Sequence, residues 1–151
     1  PVVGVSWYEA NAYCTWLTEQ LRQTGAISAQ ELVRLPTEAE WVLAAGGTQK
    51  RPYPWGKRFD AAKANTAESA LKQPTPVHMY PTGATREGVW DLAGNVWEWS
   101  QDDGEWGKLL CGGAYYSDKG KVVVSSRYGD SPVDRNYGIG FRCLVVPISH
   151  R

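Results

Sequence analysis

The chain has 151 residues, 42% of them hydrophobic, with 16 basic side chains against 16 acidic ones. That length and apolar content suit one domain with a real core, and the charge balance excludes a strong field for nucleic acid or an anionic membrane. The longest apolar runs, such as Val122-Val123-Val124 and Leu144-Val145-Val146, are strand-sized and far short of the roughly 20 residues that cross a bilayer, so no membrane insertion is expected. Eight Trp and eight Tyr beside 16 Gly, 9 Pro and one Met predict a loop-rich fold pinned by large rings, whose polar tips each need a partner. No repeat, low-complexity tract or linker interrupts residues 1–151, which read as a single domain.

In chain order, Pro1-Val2-Val3-Gly4-Val5 is strand-like from its first residue, without a charged leader or cleavage site, which points to a polypeptide that begins earlier. Ser6-Trp7-Tyr8-Glu9 has capping-box spacing and opens a helix running to about Thr24-Gly25. Thr37-Glu38-Ala39-Glu40 repeats the device after Leu35-Pro36 and opens a shorter helix that Gly46-Gly47 stops. From Thr48 to Gly88 the chain is rich in Pro, Gly and polar residues and reads as long ordered loops, which in a compact domain are functional or clamped. Short strands are expected over Gly94 to Ser100, Lys108 to Cys111, Lys121 to Arg127 and Gly140 to Val146.

Two segments carry candidate chemistry. In Asp91-Leu92-Ala93-Gly94-Asn95-Val96-Trp97-Glu98, two carboxylates flank a Gly-containing turn. That pattern suits the hard, mixed side-chain and backbone oxygens that Ca²⁺ accepts. It equally suits an Asp capping a turn and a Glu paired with an Arg such as Arg127 or Arg142. In the run from Cys111 to Cys143, a rigid frame (Gly112-Gly113, Ser125, Arg127, Pro132, Arg135 and Ile139 to Arg142) alternates with positions filled almost wholly by Tyr, Ser, Asp, Gly and Asn. Such alternation is how a scaffold for an interchangeable surface reads. His78 and His150 are isolated, and a lone loop His is usually a solvated side chain. No Ser/His/Asp set, phosphate-cradling loop or paired-carboxylate site stands out.

The stretches PVVGVSWYEANAYCTWL, RLPTEAEW, YPWG, Ala64-Asn65, Thr75 to Val77, GVWDLAGNVWEW, CGGAYYSD, SSR and GIGFRC occur in the order seen in the formylglycine-generating, sulfatase-modifying family, and nearly the whole chain resembles it. The resemblance implies an α+β domain of divergent C-type lectin fold, with two helices, short antiparallel strands and long ordered loops. Family members carry an additional N-terminal strand region before the segment matching Pro1, which implies a missing or shortened N-terminus here.

The resemblance also implies a structural Ca²⁺ held by the side chains of Asp91 and Glu98 and the carbonyls of Gly94 and Val96. A second family site begins at positions matching Asn65 and Thr66, but the loop supplying its other ligands is shorter here, leaving Glu68 or Ser69 as candidates. The oxidase members bind copper through two cysteines five residues apart, because soft thiolates select Cu(I). The matching positions are Ser117 and Val122. No copper and no formylglycine generation are therefore expected, and the two histidines do not supply the iron site of the sulfoxide-synthase relatives. Three Cys leave one unpaired. In the family the positions matching Cys14 and Cys143 can be joined by a disulfide, closing a loop of about 130 residues and contributing roughly 4 to 5 kcal/mol. If that bond forms, the compartment is the cell surface or outside; if not, the cytoplasm. Cys111, where relatives usually have Arg, is expected to be a buried free thiol.

Residues 112–142 resemble, in length and frame, the variable region of retroelement-diversified proteins of this fold, in which adenine-directed mutagenesis rewrites Asn codons. Of 14 positions matching template Asn codons between Tyr116 and Gly138, 13 carry Tyr, Ser, Asp, Gly or Asn, and Lys121 is the exception. These are also ordinary loop residues, and undiversified relatives share the frame. The expected function is a non-catalytic ligand-binding module. Tyr116, Asp118, Tyr128, Asp130, Ser131, Asp134, Asn136 and Tyr137 form its exposed face, bordered by Trp106, and Ser117 is a further ligand-binding candidate. The frame lies buried, with Arg127, Arg135 and Arg142 anchoring carbonyls or carboxylates. Tyr gives contact area at low rotamer cost, and Ser, Gly, Asp and Asn adapt their hydrogen bonds, as in antibody paratopes. A protein or other macromolecular ligand suits such a patch, carbohydrate less so. The alternatives are a sulfatase-modifying-type enzyme, or an enzyme paralogue lacking the cysteine pair, and a structural domain of a longer protein.

Overall fold

The computed structural model describes residues 1–46 and 51–148, so Gly47 and His150 lie outside the described residues. Helix α1 (Trp7–Gln23) starts at the expected capping box: the Ser6 N–H donates to Glu9 Oε2 at 2.8 Å and the Glu9 N–H to Ser6 Oγ at 3.3 Å. Ala10, Cys14 and Thr18, spaced by four, form its buried stripe. Strand β1 (Glu31–Arg34) follows, and the Val33 N–H donates to Thr18 Oγ1 at 2.8 Å, fixing helix to strand. Helix α2 (Glu38–Gly46) opens on the second box, with Thr37 N–H to Glu40 Oε2 at 2.8 Å and Glu40 N–H to Thr37 Oγ1 at 3.3 Å.

Between α2 and β2 (Trp97–Gly104) the described chain makes three-residue 3₁₀ turns at Ala61–Lys63, Ala67–Ser69 and Pro81–Gly83 and otherwise runs as ordered loop. Strands β3 (Gly107–Cys111), β4 (Arg127–Asp130), β5 (Ile139–Gly140) and β6 (Leu144–Pro147) complete the chain. Four strands form a sheet in the order β4-β3-β2-β5, antiparallel except for the parallel β2–β5 pair. β1 and β6 pair antiparallel as a separate ribbon, with Val33 opposite Val145.

Several strand boundaries differ from the sequence expectation. Pro1–Val5 forms no strand; it is held by the Gly4 N–H donating to the Asn136 carbonyl and by the Trp99 indole donating to the Val5 carbonyl. β2 begins only at Trp97, because Gly94 and Asn95 have φ of 73° and 64°, outside extended backbone. Lys121 to Ser126 is not a strand either, and β4 begins only at Arg127. Lys121 ends a 3₁₀ turn, and Val122 and Val124 bury in two different clusters, the first with Tyr53, Ala64 and Ala93, the second with Trp41, Leu92 and Leu109. The expected Gly140 to Val146 strand splits between β5 and β6, which belong to different sheets.

The main core gathers Ala10, Cys14, Val33, Leu35, Trp97, Trp99, Leu110, Ala114 and Ile139. The rings pin the irregular segments as their number implied: the Trp7, Trp41, Trp55 and Trp99 indoles donate to Ser100 O, Glu98 Oε2, Arg58 O and Val5 O at 2.7–3.0 Å. Among the described residues no helix is long and apolar enough to cross a membrane.

Candidate functional site

Strand alternation decides which side chains share one face of the sheet. Trp99 pairs with Leu110 and Leu110 with Tyr128, Lys108 lies opposite Asp130, and Trp97 lies opposite Ile139. Trp97, Tyr128, Asp130 and Ile139 therefore stand on one face, while Glu98, Cys111 and Arg127 stand on the other. After β3 the chain turns through Gly112 and Gly113, at φ 94° and 77°. A Cβ on Gly113 would sit 2.7 Å from the Lys121 carbonyl oxygen, so this turn tolerates only Gly.

The turn carries the next segment over the sheet. The Ser117 N–H donates to Ala114 O at 2.8 Å and Ser117 Oγ accepts from the Ala114 N–H at 3.1 Å, closing a small loop that leaves Tyr116 half exposed. Asp118 caps the following 3₁₀ turn by accepting from the Gly120 N–H at 2.9 Å. The long loop props this segment from behind. The Ala67 N–H donates to Ser117 O, the Lys119 N–H to Glu68 Oε1, and the Tyr53 hydroxyl to Lys119 O.

The result is a recess of about 320 Å³ lined by Trp97, Tyr116, Ser117, Asp118, Lys121, Tyr128, Asp130, Asn136 and Ile139. Trp97 and Ile139, 8% and 2% exposed, are its floor; Tyr116 and Tyr128, 51% and 52% exposed, are its walls. The Trp97 and Tyr128 rings are 6.0 Å apart. Of the expected face, Tyr116, Ser117, Asp118, Tyr128, Asp130 and Asn136 are brought together here, whereas Ser131, Asp134 and Tyr137 lie outside the lining. Tyr137 is 79% exposed.

Ser117, a ligand-binding candidate, is buried at 5%, its hydroxyl spent on the Ala114 turn. Ser125 and Arg135, expected to be buried frame residues, are exposed. All three arginines anchor as expected. Arg127 binds Glu38 and the Val124 and Ser126 carbonyls, Arg135 binds Glu9 through two N–H groups, and Arg142 binds Glu98 and the Trp90 carbonyl. Trp106, 71% exposed, sits beside Gly129 and lies outside the recess lining.

Electrostatics distinguish the two ends of the recess. Lys121 Nζ lies 3.8 Å from Asp118 Oδ2. Asp130 has its carboxyl pushed up, first by burial and then by a hydrogen bond and like charge from Asp134, against the opposing pull of the Ser131 N–H. The Tyr116 phenol is also pushed up, mainly by burial.

Asp91 and Glu98 open onto a second cleft, of about 410 Å³, shared with His78, Trp90 and Arg142. Asp91 Oδ2 accepts from the His78 N–H at 3.0 Å. Glu98 is 5% exposed and accepts from Arg142 at 2.6 and 2.7 Å and from the Trp41 indole at 2.7 Å. Two carboxylates on one cleft, with the adjoining Gly94 and Val96 backbone, are hard oxygen donors of the kind Ca²⁺ accepts, though an ion there would have to share Glu98 with Arg142. Asn65 and Thr66 are buried in a hydrogen-bond network. Asn65 Oδ1 accepts from Ser69 Oγ, Asn65 Nδ2 donates to Gln73 O, and Thr66 Oγ1 donates to Glu68 Oε2.

The Cys14 and Cys143 sulfurs touch at 3.7 Å as thiols. Their mutual hydrogen bond raises the Cys14 pKa and lowers that of Cys143. Cys111 is fully buried and its thiol is pushed up to about 12 by burial. Val122, one of the two positions matching the oxidase cysteines, is fully buried.

Sequence reasoning missed the recess floor, Trp97 and Ile139, although the Trp97-x-Trp99 alternation already put both tryptophans on one face. It also missed Asn95. This residue is 2% exposed; its side chain joins Asn65 and Thr75, and its carbonyl accepts from the Tyr115 N–H, so it ties three loops to the start of the face.

The sulfatase-modifying factor enzyme 1-like domain model matches residues 1–146. A mouse protein described as inactive C-alpha-formylglycine-generating enzyme 2 is 34% identical over 163 residues, covering 95% of this chain and 48% of that relative, so the chain spans about half its length. Among solved structures, Treponema denticola variable protein 1 superposes with a TM-score of 0.83 at 24% identity, over 97% of this chain and 71% of that one. The Major Tropism Determinant U1 variant superposes with a TM-score of 0.63 at 16% identity, over 94% and 37%. These likenesses show the divergent C-type lectin fold of variable proteins, built here as α+β. The chain belongs to the sulfatase-modifying factor enzyme 1-like family.

Proposed function

We propose that this domain is a non-catalytic binding module whose Tyr-, Asp- and Asn-lined face takes a protein or other macromolecular ligand, and that the face is diversified by a retroelement. The observation that carries the reading is the recess. Tyr116, Asp118, Tyr128, Asp130 and Asn136 converge over a buried Trp97 floor, and Ser117 and Val122 stand where oxidase relatives have thiols. A half-open, aromatic-walled depression held by a fixed frame suits recognition, because rigid rings supply area while short polar side chains supply adaptable hydrogen bonds. The likeness to two solved variable-type proteins of this fold supports the same reading. The purified chain, given copper or iron and a thiol, is expected to consume no oxygen above the metal blank; metal-dependent uptake by the chain overturns the binding-only reading. The neighbouring DNA is expected to carry a near-identical repeat differing only at adenines beside a reverse-transcriptase gene, and a locus without one returns the segment to ordinary family variation.

A structural Ca²⁺ at Asp91, Gly94, Val96 and Glu98 is part of the proposal, supported by the two carboxylates sharing one cleft. Bound only by the folded chain, it stabilises by mass action. Adding calcium to chelator-treated protein should raise the midpoint of thermal unfolding, and Asp91→Ala should abolish the rise. An unchanged midpoint argues for the Glu98–Arg142 ion pair alone.

A further inference from the structure

The recess has a chemistry of its own, and its occupant can be narrowed on the reading that this face binds a ligand. Its volume, about 320 Å³, is at the low end for small-molecule sites and fits one side-chain head group rather than a whole ligand. Besides Ser117 and Ile139, its lining comprises the rings of Trp97, Tyr116 and Tyr128, the carboxylates of Asp118 and Asp130 with the Asn136 amide, and the single ammonium of Lys121. The charges do not cancel evenly. Lys121 approaches Asp118, whereas among the described residues no Lys or Arg forms an ion pair with Asp130 or Asp134. Lys108, opposite Asp130 in the β3–β4 register, is turned away onto Asp103 and the Trp7 ring.

We propose that the recess receives the guanidinium of an arginine side chain presented by a protein ligand. A planar cation stacks on the Trp97–Tyr128 rings and donates to Asp130, satisfying both halves of the lining at once. An apolar side chain of the same size covers the Asp130 carboxylate without supplying a cation, while Asp118 and Asn136 keep the Gly120 and Gly138 N–H groups they already accept from. An anion meets Asp118 and Asp130 against one ammonium that Asp118 already engages. The upward push on the Asp130 carboxyl, from burial and from Asp134, fits an acid that lacks a cation in the unliganded chain.

The inference can be tested without the natural ligand, by following the Trp97 indole N–H and the Tyr128 to Ser131 amides in ¹H–¹⁵N spectra during titration. The probes are N-acetyl-arginine amide, its neutral isostere N-acetyl-citrulline amide, and N-acetyl-glutamate amide. The arginine probe is expected to shift these resonances saturably, with the citrulline probe weaker by about tenfold or more, as for loss of a charge-assisted hydrogen bond. Asp130→Asn should weaken the arginine probe by a similar factor without moving the thermal midpoint by more than a few degrees. Equal binding of citrulline, or preferential binding of glutamate, overturns the cationic chemistry while leaving the face a binding surface. No saturable shift with any probe overturns the inference alone, because the binding-module reading is tested separately by oxygen uptake and the neighbouring DNA.

Discussion

Glu9 serves two structures at once. Its carboxylate accepts from the Ser6 N–H to close the start of α1 and takes two N–H groups of Arg135, from the loop that carries the candidate face, at 2.9 Å. These contacts, Arg135 first and Ser6 next, hold its carboxyl well down, at about 2 against an ordinary 4.5. Glu40 is held at about 2 in the same way, by Arg34 first, with burial opposing and Thr37 assisting. A carboxyl whose folded pKa is depressed stabilises the fold above its unfolded pKa, and that contribution is lost as pH falls through the folded value. Stability should therefore decline between about pH 4.5 and 2. The effect is modest, because the Glu9 and Glu40 side chains are 47% and 33% exposed. Arg135→Leu should lower the unfolding midpoint slightly at neutral pH and converge with the parent near pH 2. A difference that persists undiminished in acid means that Arg135 acts through packing, not charge.

At the level of elements, what is locally encoded was legible and what depends on distant partners was not. Both helices announce themselves within four residues, as Ser6 with Glu9 and Thr37 with Glu40, because a capping box satisfies its own backbone donors. β1 has no such local signature. It offers one buried residue, Val33, and exists because β6 arrives from the other end of the chain to pair with it. Val122-Val123-Val124 reads as a strand by composition, yet the Val124 N–H donates to Pro52 O and the Ser126 N–H to Val123 O, folding the run into a turn that fills two core clusters. The structure differentiates among the residues expected on the face. Tyr116, Tyr128 and Tyr137 are exposed, whereas the Ser117 hydroxyl, Asp118 and Asn136 also cap their own turns, Asn136 by accepting from the Gly138 N–H at 2.8 Å. Asp, Asn and Ser share that local capping ability, so exchange among them keeps the turn while changing the surface. Composition reveals such positions as polar and loop-like. It does not say which polar atom points outward.

Across the whole molecule, the division of labour is between a frame and a face. The frame comprises the Gly112-Gly113 turn, the Asn95 loop hub, the Glu98–Arg142 pair and the propping of Ser117 and Lys119 by Ala67, Tyr53 and Glu68. The face is what remains outside those contacts. On this reading the face can be rewritten while the frame cannot, a difference that shows in the unfolding free energy in denaturant. A combined Tyr128→Ser, Asp134→Asn, Tyr137→Ser variant is expected to stay within roughly 1.5 kcal/mol of the parent, about 0.5 kcal/mol for each surface site. Gly113→Ala, which forces a side chain into a left-handed conformation 2.7 Å from the Lys121 carbonyl, is expected to lose about 2 kcal/mol or more. A face variant that unfolds as readily as the Gly113→Ala chain would contradict the account.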